Sequence, residues 1–236
     1  MNGGLNRNQI KYIVILAMLV DHIAWLFVYT YSVQGELMHF FGRLTGPTMA
    51  VFIAEGYRYT KNVKHYLARL GVFALISWPC FSLMETGRIL PLFSVIYTYF
   101  LALLALIVWD SKTDIVVRIV IIGGLIYLSK WGDWPYMGIL FALAAHIWHD
   151  NKTVRWSLHT LICLVFLFIE TSKALSYGWP WWTQMFQAGT LMVAPMMLFL
   201  YNGESGSKAP FHKWFFYVFY PLHMLVLWYL RFVLFR

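Results

Sequence analysis

The sequence predicts an all-α integral membrane protein, a polytopic helical bundle of about nine transmembrane helices. Of its 236 residues, 61% are hydrophobic and only 12% are charged, whereas soluble domains carry roughly 25% charged residues. The apolar runs are continuous and do not alternate with polar residues, which disfavours a β-barrel. Because these runs leave no room for a separate soluble domain, residues 1–236 are interpreted as one transmembrane domain.

Apolar stretches long enough to cross a bilayer follow one another along the whole chain. The predicted spans are 12–30, 40–58, 66–84, 92–109, 114–129, 134–149, 156–170, 183–201 and 214–232. Turn-forming residues separate them, among them Gly35, Thr86-Gly87 and the loop 203–206. The sequence leaves the number of spans open between eight and ten, since 114–129 and 134–149 are short for a crossing.

The distribution of Lys and Arg predicts a cytoplasmic N-terminus in the inner (cytoplasmic) membrane. With that orientation, 12 of the 18 Lys and Arg residues fall in cytoplasmic segments, in accordance with the positive-inside rule. The first apolar run is expected to be retained and not cleaved as a signal peptide, because it carries charged residues at its centre and lacks a small-residue cleavage site.

Asp21 and His22 stand side by side in the middle of the first predicted span. An ionisable residue at the centre of a bilayer costs about 3 kcal/mol on insertion scales, so such a pair indicates a functional site inside the bundle. Asp21 and His22 are therefore the first candidate catalytic residues.

Lys11 precedes His22 by eleven positions. At about 100° per residue the two side chains return to nearly the same helix face, about 16 Å apart along the axis. Lys11 is then a candidate for binding a cofactor at the cytoplasmic surface, the alternative being a snorkelling lysine that only orients the helix. Asp21 points about 100° away from His22 and is expected to pair with another helix.

His223 is a second imidazole near the middle of a predicted span. We include it among the candidate catalytic residues, the alternative being a structural histidine bonded to a carbonyl that Pro221 leaves free. The six other histidines, His39 among them, fall near predicted helix ends, where solvated or interfacial roles are expected.

The histidines and cysteines do not indicate a metal. His146 and His149 share a helix face, but no third ligand accompanies them in the sequence. Cys80 and Cys163 lie far apart in apolar stretches and are expected to be buried packing residues. We expect no metal cofactor.

A basic block follows the second predicted span. Its four cations within twelve residues are Arg58, Lys61, Lys64 and Arg69. Such a cluster suits the phosphates of a cofactor or lipid headgroups, and the alternative is the positive-inside signal alone.

Two more charged residues belong to the same span. Arg43 is a candidate for positioning the acceptor or the charge of a transition state from the opposite side. Glu55 is a carboxylate inside a membrane helix and needs a partner, for which Arg58 and Tyr59 at i+3 and i+4 are suitable.

Taken together, these motifs resemble the TraX family, whose name comes from an enzyme that N-acetylates conjugative pilin. The motifs that carry the resemblance are 10–13 leading to 21–23, Gly42-Arg43 with Pro47, Glu55-Gly56, 62–70 and 220–223. That family is in turn similar to the broader transmembrane acyltransferases, in which a basic or amide residue precedes a histidine of the first span by eleven positions. Lys11 stands where arginine is frequent in that wider group.

The resemblance implies an enzyme that transfers an acyl group from cytoplasmic acyl-CoA, most simply acetyl-CoA. His22 would act as the general base that takes the proton of an acceptor hydroxyl or amine, with a covalent acyl-histidine as another route to the same product. The cations Lys11, Arg58, Lys61, Lys64 and Arg69 are the candidates for binding the cofactor. A glycan, a lipid-linked sugar or a pilin-like peptide would be the acceptor, the bilayer is the other partner, and no nucleic acid is expected.

Two other functions stay open at the level of sequence. A proton-coupled transporter would use Asp21, His22, Glu55 and His223 as a relay, although no second copy of the Asp-His segment supports an inverted repeat. A non-catalytic scaffold would need only the abundant Trp and Tyr that anchor helices at membrane interfaces.

Overall fold

A computed structural model describes residues 3–235; the predicted domain 1–236 therefore includes residues 1, 2 and 236, which lie outside the described range. Within that range the chain forms α-helices and short 3₁₀ and π segments, and no strand is present. The helices are α1 (Arg7–Phe27), α2 (Val33–Gly42), α3 (Thr45–Tyr59), α4 (Val63–Thr86), α5 (Val95–Trp109), α6 (Ile115–Leu128), α7 (Met137–Ile147), α8 (Lys152–Ser176), α9 (Val193–Phe199) and α10 (Pro210–Tyr229). The all-α prediction is confirmed.

Helix length and surface composition are those of a membrane protein. Four helical stretches of the described chain are long and apolar enough to span a bilayer, namely Arg7–Phe27, Val63–Thr86, Lys152–Ser176 and Pro210–Leu234. The surface of α6 is almost entirely apolar, because Ile122 is its one buried residue. The prediction of a membrane protein is confirmed, whereas nine crossings stay a prediction.

The predicted span 40–58 is wrong as a single helix. The structure divides this region into α2, which begins earlier, and α3, which begins at Thr45. Ser32 caps α2, its Oγ accepting a hydrogen bond from the Gly35 amide at 3.0 Å. Pro47 falls in the first turn of α3, where its missing amide hydrogen costs the helix nothing. Apolar content alone does not reveal the break between the two helices.

The predicted span 183–201 is also not a continuous α-helix. The chain runs as a 3₁₀ helix over Trp181–Met192, called the 3₁₀ segment below, and only then as the short α9. Hydroxyl groups in the segment bond to carbonyls three residues earlier, from Thr183 to Pro180 at 2.7 Å and from Thr190 to Gln187 at 2.8 Å. Long 3₁₀ runs are uncommon because their hydrogen-bond geometry is poorer than that of an α-helix.

The described residues fall into two compact units, which are considered separately. The first unit comprises 3–48 and 156–216, and the second comprises 49–155 and 217–235. The interpretation of the chain as one transmembrane domain stays a prediction.

In the first unit, α1 packs against α2, and α2 packs against the 3₁₀ segment. The buried side chains of α1 recur every three or four residues and form one face, which includes Ile10, Val14, Met18 and Asp21. The Thr45 hydroxyl bonds to the Val14 carbonyl at 2.6 Å and so ties the start of α3 to α1. The polar pair of α1 therefore lies on the face that packs inside the protein.

In the second unit, α5 is the central helix. It packs against α4, α6 and α7, and nine of its residues are buried, among them Thr98, Tyr99 and Leu103. The Thr98 hydroxyl donates to the Asp133 carbonyl at 2.6 Å, which anchors the loop between α6 and α7.

Candidate active site

The carboxylate of Asp21 is the centre of a buried polar cluster in the first unit. Its Oδ1 lies 2.7 Å from His39 Nδ1, and its Oδ2 accepts a hydrogen bond from Arg43 Nη2 at 2.9 Å. Asp21 is 8% exposed and His39 is fully buried. The prediction that Asp21 pairs with another helix is confirmed, since both partners come from α2 and its C-terminal cap. Asp21, His39 and Arg43 are called the Asp21 cluster below.

The predicted solvated or interfacial role of His39 is wrong. His39 lies on the buried face of α2 together with Gly35 and Gly42, the three positions being four and three residues apart. Residues at this spacing share one side of a helix. The signal that identifies His39 is this pattern of two glycines around a histidine, with Arg43 one turn further along.

Gly42 allows α1 and α2 to approach each other at the cluster. A Cβ atom at this position would collide with the side chain of Asp21, lying 2.6 Å from Oδ1. Any larger residue would therefore push the carboxylate away from His39 and Arg43.

Aromatic rings surround the cluster. The ring of His39 lies 4.1 Å from that of Trp25 and 5.3 Å from that of Phe186, measured between centroids. The guanidinium of Arg43 lies 5.4 Å from the centre of the Phe186 ring and 5.9 Å from that of Trp25, within the range of cation–π attraction. These rings keep water away from the ionised groups, which strengthens the attraction between them.

The 3₁₀ segment holds Phe186 in this position. Gly189 packs so closely on α2 that a Cβ atom would collide with the Phe40 carbonyl and would come within 3.1 Å of the Arg43 Cβ. The second glycine contact thus fixes the 3₁₀ segment against the helix that carries His39.

The second ring nitrogen of His39 is enclosed by the protein. The Nε2 atom of His39 is buried and has no hydrogen-bond partner among residues 3–235. Buried polar atoms without a partner are rare in folded proteins and each calls for an explanation, such as a catalytic role or a bound molecule.

His22 is buried in α1, as its place on the inner face predicts, with 6% of its surface exposed. Lys11 is half-buried, and its Nζ lies 5.4 Å from the centre of the Phe216 ring. Their roles as catalytic base and cofactor ligand stay predictions.

The predicted basic block lies around the connection between α3 and α4 in the second unit. Lys61 and Lys64 are exposed, and Arg58 is exposed but reaches Asp150 at 3.4 Å. A hydrogen bond from His149, together with the Arg58 cation, holds the pKa of Asp150 below its usual range. Lys61 and Lys64 are therefore the two cations of this block best placed to meet an anion from solution.

Arg69 and Glu55 are both half-buried in the second unit. The Nε of Arg69 donates to the Tyr217 hydroxyl at 3.1 Å, and its guanidinium lies over the rings of Tyr66 and Tyr217. This aromatic packing holds Arg69 within the second unit. Glu55 lies on α3, and its pairing with Arg58 or Tyr59 stays a prediction.

His223 is buried in the second unit, and its Nδ1 donates to the Phe219 carbonyl at 2.9 Å. This is the kind of bond that the structural alternative predicts, but Phe219 is not the residue whose carbonyl Pro221 leaves free.

The expectation that Cys80 and Cys163 are buried is confirmed, and neither cysteine forms a disulfide. Across residues 3–235, no group of three or more His, Cys, Asp or Glu residues is placed to hold a metal ion.

Comparisons with known proteins agree with the motifs in the sequence. A family model described as TraX protein matches residues 6–231. The chain is 29% identical over 229 residues to a protein of Dichelobacter nodosus named "Probable fimbrial assembly protein FimC, serogroup H1", and the match covers 93% of each chain. No solved structure matches the chain significantly.

Proposed function

Since the chain belongs to the TraX family, we propose that it is a membrane-embedded acyltransferase that moves an acetyl or other short acyl group from acyl-CoA to a hydroxyl or amine acceptor. The observation that carries the proposal is the buried Asp21 cluster in the first unit. A carboxylate, a guanidinium and an imidazole enclosed by aromatic rings form an environment that can take up a proton and stabilise developing charge.

The reaction needs one neutral imidazole. As the acceptor oxygen or nitrogen attacks the thioester carbonyl, its proton passes to the imidazole, and a new bond to the acyl carbon forms. The carbon–sulfur bond then breaks, and the proton goes on to the thiolate of coenzyme A. Two buried imidazoles are available next to Asp21, those of His22, which the sequence predicts as the base, and His39.

The charged parts of the donor need cations outside the cluster. Lys11 of the first unit is one candidate, and the others that the sequence predicts are Arg58 and the exposed Lys61 and Lys64 of the second unit. With the predicted orientation these residues face the cytoplasm, from which the donor would enter. The name of the Dichelobacter nodosus relative favours a pilin-like peptide over a glycan or a lipid-linked sugar as the acceptor.

Turnover by the purified protein tests this proposal. We expect the protein, reconstituted in lipid vesicles, to release free coenzyme A from acetyl-CoA in the presence of membrane extract as the source of acceptor. Asp21→Asn should lower this rate by about 10²-fold or more, because a general base or its orienting carboxylate contributes 10²–10⁴. Asp114→Asn is the matched control, because it changes the exposed N-cap carboxylate of α6 and keeps its capping oxygen.

Ligand binding supplies an independent test. A specific donor should raise the melting temperature of the protein, since a ligand that binds only the folded state stabilises it by mass action. Absence of both coenzyme A release and thermal stabilisation by acetyl-CoA would refute the proposal.

A further inference from the structure

We propose that the imidazole which takes the acceptor's proton is that of His39, acting through its Nε2 atom, and not that of His22. This inference rests on the proposed acyl transfer and names the base for it. Three features of the Asp21 cluster support this assignment.

The first feature is the orientation of the ring. His39 Nδ1 lies 2.7 Å from Asp21 Oδ1. A carboxylate only accepts hydrogen bonds, so Nδ1 carries the hydrogen and, in the neutral ring, Nε2 carries the lone pair. In activated catalytic sites, the base is generally held in place by a third group.

The second feature is the anchoring of the carboxylate. Arg43 Nη2 lies 2.9 Å from the other oxygen of Asp21, so both oxygens of the carboxylate are held in place. The orientation of the His39 ring is therefore fixed before an acceptor arrives.

The third feature is the open nitrogen. His39 Nε2 is buried and has no hydrogen-bond partner among residues 3–235, so its lone pair is available to an acceptor that reaches it. His39 itself is fully buried, so a side chain packed on its ring must move before an acceptor can reach Nε2. Phe186 is one such side chain, since its ring lies 5.3 Å from that of His39 between centroids.

His22 is placed differently with respect to Asp21. It follows Asp21 directly in α1, and adjacent helical residues point about 100° apart. Both oxygens of Asp21 are engaged by His39 and Arg43. The carboxylate thus orients His39.

His39 Nε2 takes the proton from the acceptor while the acceptor's oxygen or nitrogen forms its bond to the acyl carbon. Asp21 stabilises the resulting imidazolium through Nδ1–H. When the carbon–sulfur bond breaks, the proton leaves Nε2 for the thiolate of coenzyme A, and the ring returns to its neutral form.

The test compares His39→Asn with His22→Asn. The amide nitrogen of an asparagine at position 39 can take the place of Nδ1 and keep the bond to Asp21, while nothing replaces Nε2. We expect His39→Asn to lower kcat/KM for acyl transfer by about 10²–10⁴, to leave KM for acetyl-CoA within about threefold of wild type, and to abolish the rise of the rate with pH that reports the base. His22→Asn should retain that rise. Should His39→Asn fold poorly, His39→Gln, whose amide lies near the Nε2 position and is not basic, should give the same loss.

The two proposals fail in distinguishable ways. A wild-type protein that turns over acetyl-CoA, together with a His39→Asn variant that keeps the wild-type rate and pH profile, would overturn the assignment of His39 alone. A wild-type protein that neither binds nor cleaves any acyl-CoA would overturn the proposed function itself.

Discussion

Replacement of Arg43 by methionine tests the energetics of the Asp21 cluster. The side chains of Asp21 and Arg43 are only 11% and 12% exposed, and their closest atoms are 2.9 Å apart. At an effective dielectric constant of about 20 this separation corresponds to an attraction of about 6 kcal/mol, which desolvation of both groups partly offsets. Removal of one partner from a buried pair typically costs 3–5 kcal/mol, because the other charge is left uncompensated. Since Asp21 keeps its bond to His39, we expect the free energy of unfolding to fall by an amount at the lower end of this range, about 3 kcal/mol.

Thermal unfolding in detergent, followed by circular dichroism, measures this effect. For a chain of this size 1 kcal/mol shifts Tm by about 2–4 °C, so Arg43→Met should lower Tm by roughly 6–12 °C. Arg43→Lys is the matched control, because it keeps the positive charge and loses only the planar guanidinium group. It should lower Tm by less than Arg43→Met does. Equal melting temperatures for wild type and Arg43→Met would refute the interpretation of the cluster as a stabilising buried ion pair.

The remaining predictions concern the close helix contact and the basic block. Gly42→Ala should destabilise the protein by at least about 1–3 kcal/mol, the usual cost of overpacking, since its Cβ would collide with Asp21. Gly123→Ala in α6, where nothing lies within 4 Å of the added atom, should be neutral or stabilise by up to about 1 kcal/mol; a larger loss at Gly123 than at Gly42 in the same melting assay would contradict this explanation. Joint replacement of Lys61 and Lys64 by glutamine should raise KM for acetyl-CoA about tenfold or more and leave kcat unchanged, as expected for one or two lost charged hydrogen bonds. Steady-state kinetics at low salt would show this, and an unchanged KM would remove both residues from the donor site.

Much of the architecture follows from composition and periodicity. Long apolar runs predict α1, α4, α8 and α10, because a helix is the form in which a single chain satisfies its own backbone hydrogen bonds in lipid. The ionisable Asp21 in such a run predicts a partner on another helix, and the structure supplies two. The burial of His22 follows from the same argument.

Other features depend on contacts between elements that are distant in sequence. The chain breaks between α2 and α3 and forms a 3₁₀ helix over 181–192 that contains hydroxyl bonds from Thr183 and Thr190. A hydropathy profile records neither feature. His39 looked interfacial because it lies just before the predicted start of a span. Only the packing of α2 on α1, made possible by Gly42, brings its ring to Asp21.

The transfer of radiolabel from acetyl-CoA to an acceptor tests the acyltransferase assignment most directly. With reconstituted wild-type protein and a fimbrial subunit as acceptor, we predict labelled subunit in proportion to the coenzyme A released, and neither product above background with Asp21→Asn. Equal labelling by wild type and Asp21→Asn would show that the buried cluster takes no part in the chemistry. If wild-type protein that is folded by its melting profile yields no labelled product from membrane extract or fimbrial subunit, this would contradict acyl transfer as its activity.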